Sequence, residues 1–255
     1  MQPRMGSGES TTSDARRLSL AFLPPPPVRT AFEWLSTLEQ DRWPEPPQGD
    51  GRPVLLLPGF LAGDASLTRM ARWLRTGGFE LARSGISWNT NCMEPVVTSV
   101  VERVERAVER AGRPAMLVGQ SRGGTIARAA AVRRPDLIDT IVTLGSPILD
   151  QLDVYRSVWL SIGAVGLLGT LGVPGMFSFS CLNGDCCQDA REDVSAPFPE
   201  DVRFISIYSR RDEVVRWRSC LDPAAVHVEV DSTHLGMGVD REVWQAMTLH
   251  STVAP

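Results

Sequence analysis

Leu117-Val118-Gly119-Gln120-Ser121-Arg122-Gly123-Gly124 contains the residue best suited to covalent chemistry: a serine with glycine two positions away on either side. A serine on a sharp strand-to-helix turn has a strained backbone, and only small neighbours at those two positions avoid colliding with it. Such a hydroxyl needs a base to take its proton and an acid to orient that base. The chain has three histidines, His227, His234 and His250. His227 falls inside a strand pattern and His250 near the carboxyl end. His234 follows the last strand pattern in a loop of small residues (Ser232, Thr233, Gly236) and is the candidate base. Asp212 follows the strand pattern ending at Tyr208 and is the candidate acid. Asp150, Asp153, Glu213 and Asp231 compete with it, Asp231 also having a loop-capping role open to it.

Elements that set these residues at one sheet edge are legible from hydropathy. Pro53 to Leu57, Ala115 to Val118, Ile138 to Leu144 and Val202 to Tyr208 are apolar runs suited to buried parallel strands, with further strands at Phe79 to Arg83 and Val226 to Val230. Helical spacing covers Ala65 to Thr76, Glu94 to Ala111, Thr125 to Arg133 and Arg241 to Leu249. Gly77-Gly78 and Gly112 provide the stops of the first two. The turn Pro58-Gly59-Phe60-Leu61 follows the first strand, where a second oxyanion donor is expected from the Phe60 or Leu61 amide, beside that of Arg122. Asp64 reads as the N-cap of the next helix. Leu61 and Gln120, flanking these positions, are the candidate substrate contacts. Residues 1–27 read as a disordered arm with a polyproline segment, and Val28 to Gln40 as a short amphipathic helix opening one domain over 28–255.

Strand–helix alternation stops between about 148 and 199. Ser157 through Gly184 holds no charged side chain, and Gly163, Gly166, Gly169, Gly172, Gly175 and Pro174 argue against one continuous helix. A lid of short apolar helices over the serine, or against a lipid surface or a second copy of the chain, is the expectation. Five cysteines are present. Cys181, Cys186 and Cys187 crowd the end of this segment, while Cys92 and Cys220 stand apart in predicted loops. Zinc lacks a fourth ligand at familiar spacing, so no metal is expected. A disulfide within the lid, a pair using Cys92 or Cys220, and reduced thiols are the remaining readings.

Serine, aspartate and histidine, each after a separate strand, follow the chain order of α/β-hydrolases. On Pro58-Gly59-Phe60, Gly119 to Gly123, Tyr208 to Val215 and Ser232 to Met237, the chain resembles the lipase and esterase branch of that superfamily over about residues 50–250. It is also similar in texture to actinobacterial lipase-like serine hydrolases. The resemblance implies an α/β fold with an eight-stranded, mostly parallel sheet, helices on both faces, a lid after the sixth strand, and ester hydrolysis through an acyl-enzyme. Many lipases have His-Gly in place of Pro58-Gly59 and Gly-His-Ser in place of Gly119-Gln120-Ser121. These changes bear on substrate class and leave the nucleophile and backbone donors in place.

At 255 residues and 43% hydrophobic content the chain can bury a full core, and a net charge of −4 argues against a partner held by phosphate contacts, so no nucleic acid is expected. No cofactor motif is present, because no lysine follows the turn glycines as a phosphate loop requires. Arg16-Arg17 precedes too short an apolar run for an export signal, which makes the cytoplasm the expected location, with membrane association through the lid. The expected substrate is a small acyl ester or lipid. The same triad also serves an acyltransferase or thioesterase. A non-catalytic lipid-binding protein would show a broken triad. A carboxylate nucleophile, needed for dehalogenation, is absent from the turn.

Overall fold

Pro53–Leu57 (β1) has all five residues buried, as expected of a strand covered on both faces. It lies inside a six-stranded sheet in which the strands, counted along the chain, stand in the order second, first, third, fourth, fifth, sixth. The computed structural model describes residues 43–251. The expected amino-terminal arm and the helix at Val28 to Gln40 lie outside the described residues. The other strands are Glu80–Ala82 (β2), Ala115–Gln120 (β3), Ile138–Leu144 (β4), Arg203–Tyr208 (β5) and Val226–Glu229 (β6). Every neighbouring pair is parallel. Among the described residues the sheet therefore has six strands, where the resemblance implied eight.

Alternation along the strands divides the core between two faces. Leu55, Leu57 and Leu117 pack with Val97, Val100 and Val104 of the helix Met93–Ala111 (α2) and with Ile126 and Ala130 of Arg122–Arg133 (α3). Val54, Leu56, Met116 and Val118 pack on the opposite face with Met70, Trp73 and Leu74 of Thr68–Thr76 (α1) and with Trp244 and Met247 of Arg241–Ser251 (α7). Trp73 stacks on Trp244 at 4.9 Å between ring centroids. Gly112 ends α2 with φ +68°, a conformation that glycine adopts without penalty.

Two local expectations change. The first helix splits into a 3₁₀ turn at Asp64–Leu67 followed by α1. Asp64 is not its N-cap: Gly63 holds that position, and the Asp64 carboxylate accepts from the Ser84 hydroxyl and the Gly85 amide. The side chain is thus spent on closing the loop after β2.

The β4–β5 connection is a helical insertion. Arg156–Thr170 (α4) is one continuous helix, followed by Ser180–Asn183 (α5), a turn at Asp185–Cys187 and Gln188–Ser195 (α6). The glycines do not break α4. Any side chain at Gly166 would strike the Phe179 ring, and one at Gly169 the backbone of Met176 and Phe177, so they let the returning chain pack against the helix. No described helix is long and apolar enough to cross a membrane.

The strand registers set the site. Leu57 pairs with Gly119, Gln120 with Leu144, Leu144 with Ile207 and Tyr208 with Glu229. The carboxyl ends of β1, β3, β4 and β5 therefore finish in line, and the loops that follow them share one edge.

Candidate active site

Ser121 is the hinge between β3 and α3, with φ 52° and ψ −124°. A residue with a side chain rarely takes positive φ, and such a conformation costs on the order of 1–3 kcal/mol that surrounding packing must offset. The sources of that packing are visible. Ser121 donates its amide to the Leu144 carbonyl at 2.8 Å. A β-carbon on Gly119 would run into the backbone of Gly123 and Gly124, and one on Gly123 into the Leu57 and Pro58 carbonyls. The Gly-x-Ser-x-Gly spacing is thus a requirement of close backbone approach on both sides of the turn.

His234 and Asp212 are brought together from loops 22 positions apart. His234 Nδ1 and Asp212 Oδ2 are 2.6 Å apart, and both residues are almost fully buried. The other carboxylate oxygen, Oδ1, accepts from the backbone amides of Val214 at 2.8 Å and Val215 at 2.7 Å. Those two donors hold the carboxylate plane, so Asp212 can fix the imidazole in turn. Three of the four competing acids are engaged elsewhere: Asp153 pairs with Arg216, Asp231 with Arg211, and Asp150 accepts from the Leu152 amide. His227 sits against the Asp222 carbonyl, and the His250 carbonyl accepts from Arg203.

Gln120, a candidate substrate contact by sequence, has its side chain buried. It donates Nε2 to the His234 carbonyl at 2.9 Å, which commits the amide nitrogen to the histidine loop. Leu61 is 41% exposed at the cavity wall, with φ 60°. Among the described residues no acceptor engages the Phe60 amide. The Arg122 amide opens α3, where helix geometry supplies no carbonyl for it. Gly59 lies beside Ser121, with room for a β-carbon only 3.2 Å from the serine Cβ.

Three supports carry no sequence signal of their own. Gly145 has φ 54°, and a β-carbon there would come within 2.9 Å of Asp212 Oδ2 and 3.1 Å of His234 Nδ1. The run Gly145-Ser146-Pro147 reads as an ordinary strand end, so its role depends on neighbours brought by the fold. Asn89 is fully buried and donates Nδ2 to the Pro58 carbonyl at 2.7 Å, bracing the Phe60 turn. The Arg122 guanidinium donates to the Asn89 carbonyl at 3.0 Å and the Asn91 carbonyl at 2.5 Å. Its burial pulls the arginine pKa down to about 10.

Ser121 and His234 open onto one cavity of about 730 Å³. Its walls include Phe60 and Leu61 on one side and Val158, Ile162, Phe177 and Leu182 of the insertion on the other. This is the size range of small-molecule sites, with an apolar lining and few convergent polar groups.

No protein-family model matches the chain, and no curated protein matches it. Solved structures do. The lipase BlEst2 of Bacillus licheniformis, in its mature form, aligns at a TM-score of 0.61 with 13% identity, over 81% of this chain and 94% of that one. The monoacylglycerol lipase of Paleococcus ferrophilus aligns at 0.53 with 14% identity, over 80% and 97%. The carboxylesterase CesB of Bacillus subtilis aligns at 0.50 with 14% identity, over 89% and 99%.

Proposed function

Because the chain has the α/β-hydrolase fold, we propose that it is a serine hydrolase of carboxylic esters with apolar acyl chains. The observation that carries this reading is the shared cavity: a strained serine and an aspartate-bound histidine face the same apolar space. His234 Nε2 takes the Ser121 proton as the oxygen attacks the ester carbonyl carbon. Asp212 holds Nδ1–H and balances the imidazolium that results. The Arg122 and Phe60 amides receive the oxyanion, each contributing on the order of 3 kcal/mol to lowering the barrier. Collapse breaks the ester C–O bond, and His234 returns the proton to the departing alcohol. Water, deprotonated by the same histidine, then attacks the acyl-enzyme and releases the acid and free Ser121.

The insertion supports an apolar substrate over a small polar one. Its inner face lines the cavity, while Leu160, Leu167 and Leu171 of α4 and its end stand 79%, 53% and 73% exposed, a surface suited to resting on lipid.

The test is a p-nitrophenyl ester series from short to long acyl chains, run with the wild type and Ser121→Ala. Turnover that rises with chain length and disappears in the variant supports the reading. A peak at short chains keeps the serine chemistry and removes the lipid-like substrate. Equal turnover in the variant removes the serine mechanism. Added alcohol acceptors separate hydrolysis from acyl transfer, since only transfer yields a new ester.

A further inference from the structure

Cys92, expected to stand alone, meets the three cysteines of the insertion. The four sulfurs of Cys92, Cys181, Cys186 and Cys187 all lie within 4.8 Å of one another. Cys92 comes from the residue preceding α2, Cys181 from α5, and Cys186 and Cys187 from the turn before α6. The missing fourth ligand is therefore 89 positions upstream of the first of the others, beyond the reach of any spacing motif.

From this geometry we propose that the four cysteines form a tetrathiolate site for one zinc ion, which fastens the insertion to the amino end of α2. Zinc–sulfur bonds of about 2.3 Å in a tetrahedron set the sulfurs about 3.8 Å apart. The Cys92–Cys186 pair is at 3.7 Å and the Cys186–Cys187 pair at 3.9 Å. Cys92 and Cys187 stand at 2.7 Å, beyond the disulfide bond length of about 2.05 Å and short of the tetrahedral edge, so this pair must spread by about 1 Å around an ion. A cluster of several irons would hold its ligand sulfurs farther apart than this set, because metal ions and bridging sulfides lie between them. Four soft sulfur donors favour zinc over magnesium or calcium.

Charge gives a second argument. Binding releases the thiol protons to solvent, and four thiolates around a divalent ion leave two negative charges. The Arg122 guanidinium, held by the Asn89 and Asn91 carbonyls just before Cys92, lies in electrostatic reach of Cys187, Cys92 and Cys181. It is placed to offset half of that charge. Cys186 is exposed, which gives an ion a way in, and Cys187 is buried at the floor.

The consequence reaches the cavity without depending on what reaction occurs there. Cys181 and Cys187 form part of its wall. The loop leading to Cys92 holds the insertion a second time, through Thr90 Oγ1 to the Gly175 carbonyl at 2.8 Å and the Phe177 amide to the Thr90 carbonyl at 2.7 Å. Zinc would lock this wall relative to the sheet edge.

The experiment uses the full chain purified under reductant, without oxygen. Metal analysis is expected to find about one zinc per chain, released when an organomercurial titrates the thiols. Cobalt(II) in place of zinc is expected to give the absorption of a tetrahedral thiolate complex. Cys92→Ser and Cys181→Ser should each lower zinc content at least about tenfold at equal chelator, while Cys220→Ser leaves it unchanged. If the serine variants do not fold, the cobalt spectrum and mercurial release of the wild type decide alone. Reduced wild type that binds neither metal overturns the proposal. So does a Cys92–Cys187 disulfide in the zinc-supplemented protein, or full zinc retention by Cys92→Ser.

Discussion

Asp212→Asn tests the proposed mechanism most sharply, because the structure dictates how the amide must sit. The Val214 and Val215 amides both need an acceptor where Oδ1 now stands, at 2.8 and 2.7 Å. Leaving buried donors unpaired costs about 1–3 kcal/mol each, so the asparagine oxygen is held there and its NH₂ turns toward His234. An NH₂ 2.6 Å from Nδ1 can only donate to it, which places the imidazole proton on Nε2. That nitrogen then cannot take the serine proton. The loss expected for a wrong tautomer is about 10⁴ in kcat, about 5 kcal/mol of barrier, with KM little changed. Steady-state hydrolysis of the best p-nitrophenyl ester gives the number, and circular dichroism checks the fold. Asp212→Ala imposes no tautomer and should retain more activity than Asn if folded, although Asn is the closer shape. A variant within about tenfold of wild type would refute the assignment of Asp212 as the orienting acid, since a tenfold loss is only about 1.4 kcal/mol.

Gly145→Ala should lower kcat by one to two orders of magnitude with a modest fall in Tm, because the new methyl displaces the aspartate–histidine pair and φ 54° disfavours a side chain; kinetics and melting read both. Gln120→Leu keeps the volume but frees the His234 carbonyl, so kcat should fall about tenfold while KM holds; a rise in KM alone would instead mark Gln120, which also lines the cavity, as a substrate contact. Glu94→Gln should lower stability by about 1 kcal/mol near neutrality, because hydrogen bonding to Arg133 holds the glutamate below its ordinary pKa of 4.5. A depressed carboxylate stabilises the fold above the unfolded pKa and loses that contribution as pH falls through the folded one. The melting difference should therefore be full above about pH 4.5 and vanish in stronger acid. Hydrogen exchange should be slow in α6, which Arg128 and Arg133 pin through Asp193, and faster along α4, whose outer face is exposed.

The strand-to-helix turn at Ser121 is readable because its constraint is local. Gly119, Ser121 and Gly123 lie within five residues, and the collisions that exclude larger side chains involve the same turn and the strand beside it. Strand runs such as Pro53–Leu57 are readable for a similar reason, since burial on both faces leaves a continuous apolar signature. Asp212 and His234 need chain order as well, which is informative because parallel strands in register bring their following loops to one edge. Asp64 misleads because a helix-opening aspartate and a loop-closing aspartate look alike until Ser84 and Gly85 are placed beside it.

What stays hidden are contacts between segments that no periodicity links. Gly145 looks like any strand-ending glycine, Asn89 like any loop polar residue, and Cys92 like a stray thiol. Each acquires meaning only from the partner the fold supplies: the dyad, the Pro58 carbonyl and the sulfurs of the insertion. The glycines of α4 make the same point in reverse. Read along the chain they lower helix propensity by up to about 1 kcal/mol each. In the fold Gly166 and Gly169 are where Phe179 and the Met176–Phe177 backbone press against the helix, and that close packing outweighs the loss of propensity. Glycine marks flexibility when its surroundings are open and tight apposition when they are crowded, and sequence records only the glycine.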